Sequence, residues 1–260
     1  MHEATLPLLL KQLGLTTFYQ HWEPLSADAI EKGWSHSQYL KNLAEKEVAV
    51  RKQRRIQRHI KEAKLPPGKT LDSFDFKTAP SVNKQMVDAL ANSTLWVKDA
   101  QNLILFGPSG VGKSHLAAAI TYRLIEQGIR ALYYSATKLV QELQQAKQSL
   151  TLTDKLAKLA RVPLLVIDDI GYVKKDETES SVLFELIADR YEAHSLIITA
   201  NQPFSEWDSI FPNNTMTIAA VDRIVHHSTI ININEKSYRA AHRKLNMIGG
   251  EVSENASKKI

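Results

Sequence analysis

Cysteine is absent from the 260 residues, so disulfides and thiolate metal sites are excluded and a reducing cytoplasm is the expected compartment. Long apolar runs are absent too. No stretch approaches the roughly 18 apolar residues of a membrane span. Met1-His2-Glu3 shows no basic segment leading into an apolar one, so neither a leader nor an anchor is expected. No internal repeat is visible. Acid does not dominate: 33 Lys and Arg stand against 28 Asp and Glu, and the net charge of +5 leans weakly toward polyanionic partners. With 43% hydrophobic residues, the chain can bury a sizeable core in one large domain, with or without a small appendage.

Two regions differ in pattern. Over residues 1–65 the apolar spacing is helical. Leu6, Leu9, Leu10 and Leu13 share a helix face that Gly14 closes, and a second helix is expected over Thr17–Lys32, interrupted near Pro24. Ser35-x-x-Gln38 is a capping box opening a long helix to Lys64, which Pro66-Pro67-Gly68 ends. Residues 66–248 alternate strand and helix. Strands are expected at Asn102–Phe106, Ala131–Ser135, Leu164–Asp168, Ser195–Ala200 and Thr229–Asn232, with helices at Lys113–Gln127, Ala136–Gln148, Thr151–Ala160 and Thr178–Ala193. Nearly continuous apolar strands joined by helices predict an α/β fold with a five-stranded parallel sheet covered on both faces. The polar tail, residues 249–260, is expected to be disordered.

The strongest motif is Gly107-Pro108-Ser109-Gly110-Val111-Gly112-Lys113-Ser114, which fits G-x-x-x-x-G-K-[ST] between a strand and a helix. Its glycines let backbone amides fold into a nest around a phosphate, and the helix N-terminus adds its positive end. Lys113 would reach the outer phosphates, and the Ser114 hydroxyl would ligate Mg2+. His115, the next residue, is counted with the nucleotide-binding group. The expected cofactors are ATP and Mg2+.

Other strand ends add to this site. Leu164–Ile167 leads into Asp168-Asp169. Asp168 would hold the magnesium shell and Asp169 would orient or deprotonate the attacking water. Leu196–Ala200 leads into Asn201, which either faces the γ-phosphate or opens the turn before Pro203. Arg223 and Arg239 could reach triphosphate oxygens, one across a subunit boundary, or form surface salt bridges; spacing alone favours the salt bridges.

Nine basic residues against two acids lie between Lys46 and Lys69, a local excess of +7. Arg51, Lys52, Arg54, Arg55, Arg58 and Lys61 would contact DNA phosphates without reading bases. A solvated helix face is the alternative for a charge run of this kind, and the helical region could also hold a protein partner or a neighbouring subunit. His226-His227 point in different directions on a helix and have no carboxylate at clear ligand spacing, so no metal site is expected there. The four tryptophans read as core or interface anchors.

Together, Thr70–Phe76, Gly107–Ser114, Leu164–Tyr172, Thr199–Asn201, Asp222-Arg223 and Ser237–Arg239 resemble the helicase-loader and transposition-helper branch of the AAA+ ATPases, the DnaC/IstB-like proteins. The resemblance implies an AAA+ P-loop domain behind a small helical N-terminal domain. It implies Asn201 as the sensor-1 residue, Arg223 as an arginine finger, Arg239 as the sensor-2 arginine, and an adenine pocket near Phe74 and Phe76. Those two phenylalanines can equally be linker residues packed on the core. It also implies duplex DNA, largely without sequence preference, a transposase partner, and a homo-oligomer with ATP at subunit interfaces. A replicative helicase loader is the close alternative. A small-molecule kinase and an ATP-holding structural switch are more distant ones. The family pattern usually ends this strand Asp-Glu, whereas here it ends Asp168-Asp169. Asp169 is one methylene shorter, which predicts slow basal hydrolysis that DNA or a partner accelerates; Glu177 or Glu179 could substitute.

Overall fold

Five apolar runs form five parallel strands in the computed structural model, which describes residues 5–172, 177–209, 214–235 and 237–238. They are β1 (Asn102–Phe106), β2 (Ala131–Ser135), β3 (Leu164–Asp168), β4 (Ser195–Ala200) and β5 (Ser228–Asn232). The sheet order is β2-β3-β4-β1-β5. All neighbours are parallel, with Leu103 opposite Ile197 and Thr229, and Tyr133 opposite Val166. Every strand therefore delivers its carboxyl end to one edge of the sheet. Such strands are buried on both faces, and this explains their unbroken apolar runs. Leu103, Leu105, Val166 and Ile197 pack on one side with Leu116, Ile120 and Leu124. Ile104, Leu165, Ile167 and Ile198 pack on the other with Leu139, Leu143, Leu183 and Ile224.

The chain divides into two units, Met1–Arg58 and His59–Ile260. The first contains α1 (Leu6–Gln12), α2 (Thr16–Glu31) and most of α3 (His36–Ala63). Gly14 follows α1 in a left-handed turn at φ +67°. Pro24 does not interrupt α2, contrary to the sequence expectation. One missing backbone donor is outweighed locally: Leu25 is buried, and the Tyr39 hydroxyl donates to the Trp22 carbonyl at 2.8 Å. Ser35 accepts from the Gln38 amide at 3.3 Å at the start of α3. Within this unit Glu47 is buried; it accepts from the Thr17 amide at 3.1 Å and from Arg51 Nε at 2.5 Å.

The second unit adds α4 (Lys84–Asn92), α5 (Leu95–Lys98), α6 (Lys113–Glu126), α7 (Ala136–Gln148), α8 (Leu152–Ala160), α9 (Glu177–Arg190) and α10 (Asn214–Val225). The helices α4, α5 and α10 are additions to the sequence expectation. Asn83 caps α4 by accepting from the Met86 amide at 3.1 Å. The helix α10 is rich in threonine, isoleucine and valine, which individually disfavour helix; burial of Thr217, Ala220 and Ile224 overrides that preference. Below the sheet, Arg190 is 1% exposed and donates to the carbonyls of Leu159, Val162, Pro163 and Ser195 at 2.9–3.2 Å. Among the described residues no helix is long and apolar enough to cross a membrane.

Candidate nucleotide site

The motif Gly107–Ser114 is the turn from β1 into α6. Glycine is required at two of its positions. Gly107 has φ +146°, and a Cβ there would collide with the Ile233 carbonyl oxygen. Gly112 has φ +103°, and a Cβ there would meet the Phe74 ring at 2.8 Å. No side chain caps the amino end of α6, so its first amides are available to an anion. Lys113 is 4% exposed. Its Nζ donates to the carbonyls of Gly107 and Pro108 at 2.8 Å each and to Asn201 Oδ1 at 2.5 Å.

A cavity of about 790 Å3 opens over this turn, lined among others by Phe74, Ala79, Gly112, Lys113, Asp169 and Tyr238. That volume suits a nucleotide. The Thr70–Phe76 segment is fastened to the first turn of α6: a His115 ring nitrogen lies 2.8 Å from the Thr70 carbonyl and 3.1 Å from Ser73 Oγ. Phe74 packs edge-on to His115 and to Phe76, with centroids 5.3 and 4.8 Å apart. Phe74 thus faces the cavity, whereas Phe76 packs behind it against the core.

The tips of β3 and β4 are tied by Thr199, to which the sequence alone assigns no role. Its hydroxyl donates to Asp168 Oδ1 at 2.6 Å and accepts from the Asp169 amide at 2.8 Å. Asp169 sits at φ +59°, a left-handed conformation that aspartate tolerates better than longer side chains. A threonine inside an apolar strand looks like an ordinary strand former, and nothing in its spacing marks it. The Tyr133 hydroxyl on β2 is buried beside Asp168 and Ser114. Burial first, then the negative charges of Asp168 and Asp169, push this phenol well above its ordinary value.

The residues fit the expected nucleotide and its metal. Uncapped amides, glycines that tolerate no Cβ and a buried lysine suit a polyphosphate. The Ser114 hydroxyl and Asp168 carboxylate are the hard oxygen donors that Mg2+ takes.

Other candidates lie elsewhere. Arg223 is half-buried on α10, donates to the Ala219 carbonyl at 3.0 Å and stacks over Phe184 at 5.2 Å; it does not line the cavity. Arg239, the tail 249–260, and the side chains of Glu177 and Glu179 lie outside the described residues. Arg51, Lys52, Arg54, Arg55, Arg58 and Lys61 are all exposed on α3. Arg51 is engaged with Glu47 and with the Gly14 carbonyl at 3.3 Å. His226 and His227, which lack a carboxylate by spacing, lie 3.8 and 3.9 Å from Glu192 in an exposed cluster. Trp96 and Trp207 are buried core residues.

The family model for the IstB-like ATP binding protein matches residues 8–246. A Sinorhizobium fredii protein whose name describes it as an insertion sequence ATP-binding protein is 51% identical over 91% of this chain and 80% of its own. The corresponding IS21 insertion sequence protein of Pseudomonas aeruginosa is 36% identical over 94% of this chain and 91% of its own. Among solved structures, DnaI is similar with a TM-score of 0.53 at 23% identity, covering 64% of this chain and 91% of DnaI, a likeness of fold alone.

Proposed function

The chain belongs to the IstB-like ATP-binding proteins, AAA+ ATPases in fold and activity, and from that premise we propose that it is an ATP-dependent assembly factor for DNA transposition. The observation that carries the nucleotide half is the convergence of Lys113, Asn201, Asp168 and Asp169 on one sheet edge beside the uncapped end of α6. The P-loop amides and Lys113 bind the phosphates. Ser114 and Asp168 hold Mg2+, which neutralises charge on the phosphate oxygens when bound. Asn201 and Asp169 orient the attacking water, and Asp169 accepts its proton. Arg223 completes the site of a neighbouring subunit, a role supported by its position off the cavity of its own chain.

The exposed arginines of α3 and the insertion-sequence relatives support the DNA half. ATP-bound subunits associate head to tail on duplex DNA, as a ring or a spiral, and present a transposase with its target; hydrolysis releases them. Basal hydrolysis is slow. Particle size on duplex DNA, by light scattering or negative-stain images, tests this reading with ATP, with ADP and with Arg223→Ala. Large DNA-bound assemblies form with ATP alone and disappear in Arg223→Ala. A monomer under every condition overturns the assembly reading.

A further inference from the structure

The adjacent histidines His226 and His227 do not diverge. Their ring centroids are 4.1 Å apart, and both rings turn toward one carboxylate from another part of the chain. Glu192 Oε1 lies 3.8 Å from His226 Nδ1 and 3.9 Å from His227 Nε2. Each of the three side chains offers a ligand atom within 4.8 Å of the other two. Backbone hydrogen bonds hold all three positions. Glu192 lies in the turn after α9, between the Tyr191 amide, which donates to Ile187, and the Ala193 amide, which donates to Arg190. At the end of α10 the His226 amide donates to the Asp222 carbonyl at 2.9 Å. The His227 carbonyl accepts from the Asn102 amide at 2.7 Å, where β1 begins. The cluster therefore sits at the amino-terminal edge of the sheet, and none of its members lines the nucleotide cavity.

We propose that Glu192, His226 and His227 form a binding site for a divalent transition metal, Zn2+ by its donor set, which clasps the turn after α9 to the end of α10. Two imidazole nitrogens and one carboxylate oxygen are ligands that Zn2+ takes, with a fourth position left for water. Mg2+ and Ca2+ prefer oxygen and are poorly served by two nitrogens. With bonds of about 2.0–2.1 Å, tetrahedral ligand atoms stand ~3.4 Å apart. The spacings here exceed that by roughly half an ångström, which exposed side chains on a fixed backbone close by small rotations within their rotamer wells. The Tyr191 hydroxyl, 2.9 Å from His226 Nδ1, competes for that nitrogen and yields it to the metal. The bound ion joins the ends of two helices that already meet where Arg223 of α10 stacks over Phe184 of α9.

The test is calorimetric titration of the full chain with Zn2+, without nucleotide and in excess Mg2+. The parent should bind one equivalent. Glu192→Gln, His226→Gln and His227→Gln should each bind at least ~10-fold more weakly, since losing even an outer-sphere partner costs that much. Tyr191→Phe keeps the ring and removes the competitor, so it should bind as tightly as the parent or more so; weaker binding overturns coordination through His226 Nδ1. The substituted side chains are exposed, so melting temperatures without metal should match the parent. Zn2+ should then raise the melting temperature of the parent and not of Glu192→Gln. Three ligand variants that all keep the parent's affinity place the ion elsewhere and overturn the proposal. So does a parent that shows no saturable binding, which leaves the cluster a surface ion pair. Zn2+ uptake that doubles the particle mass in light scattering also overturns it, because the ligands then come from two chains.

Discussion

Lys113 Nζ and Asn201 Oδ1 are 2.5 Å apart, so the P-loop lysine and the polar tip of β4 form one hydrogen-bonded unit across 88 residues of sequence. The two partners contribute differently. Lys113→Ala removes the cation that meets the phosphates and should abolish ATP binding by calorimetry. Asn201→Ala should leave ATP affinity within about threefold and lower single-turnover hydrolysis by ~100-fold, the usual effect of losing one oriented polar group at a reacting centre.

Thr199 joins the two acidic residues to β4, so it should matter without touching substrate. Thr199→Val removes the donor to Asp168 and leaves the Asp169 amide without its acceptor. Hydrolysis should fall ~10- to 100-fold with ATP affinity nearly kept, and Thr199→Ser should restore most of it. Asp169→Asn keeps the left-handed backbone but removes the proposed base, so binding should persist and hydrolysis should be lost. Asp169→Glu should not speed hydrolysis, because a longer side chain at φ +59° costs about 1 kcal/mol. Quench-flow product assays and thermal melts measure both effects.

Glu47 gives the Met1–Arg58 unit an acid limit. Its burial alone would raise the carboxyl; the hydrogen bonds from Thr17 and Arg51 outweigh it and hold the folded value below the ordinary range. A depressed folded value contributes stability that is present above the unfolded value. That stability is lost as pH falls through the folded one, so protection should fade below roughly pH 4.5. Hydrogen exchange of Thr16–Glu31 in the full chain reads this directly. In Glu47→Gln the acid dependence should flatten.

Arg190 is a structural cation. Burial, partly offset by Asp189, lowers it to about 10, and four carbonyls accept from its two terminal nitrogens in place of a carboxylate. Arg190→Met removes all four of these hydrogen bonds from the core and should cost ~3 kcal/mol or more in denaturant unfolding. ATP affinity of the remaining folded protein should not change, since Arg190 does not line the cavity.

The DNA reading makes a quantitative claim about salt. Replacing exposed Arg54, Arg55 and Arg58 by alanine should weaken duplex binding uniformly across sequences. It should also make the slope of log affinity against log salt shallower by about 0.9 for each phosphate no longer neutralised. Fluorescence anisotropy at several salt concentrations measures it. Arg51 is the poorer choice, because its removal also releases buried Glu47.

The sheet and its loaded edge were legible because parallel strands buried on both faces are apolar throughout, and a polar residue at their ends stands out. Asp168, Asp169 and Asn201 are visible for that reason. Strand order is not written in any local pattern, since β1 pairs with β4 and β5 rather than with β2. The part Thr199 plays is hidden because it is a common strand residue whose bonds arise only from what lies on the neighbouring strand. Pro24 misled in the opposite sense: its local rule was sound, but burial of Leu25 and the Tyr39–Trp22 bond outweighed it. The short helices α4 and α5 offered too few turns for their period to show.

The place of β1 between β4 and β5 also sets a timetable for synthesis. Its two neighbours span Ser195–Ala200 and Ser228–Asn232, so the strand carrying the P-loop leaves the ribosome about a hundred residues before either partner. A nascent chain ending before β4 holds the phosphate-binding sequence without the sheet that shapes it. Nucleotide can therefore be captured only once β4 and β5 have emerged to flank the P-loop strand, and ATP cannot template the earlier stages of folding.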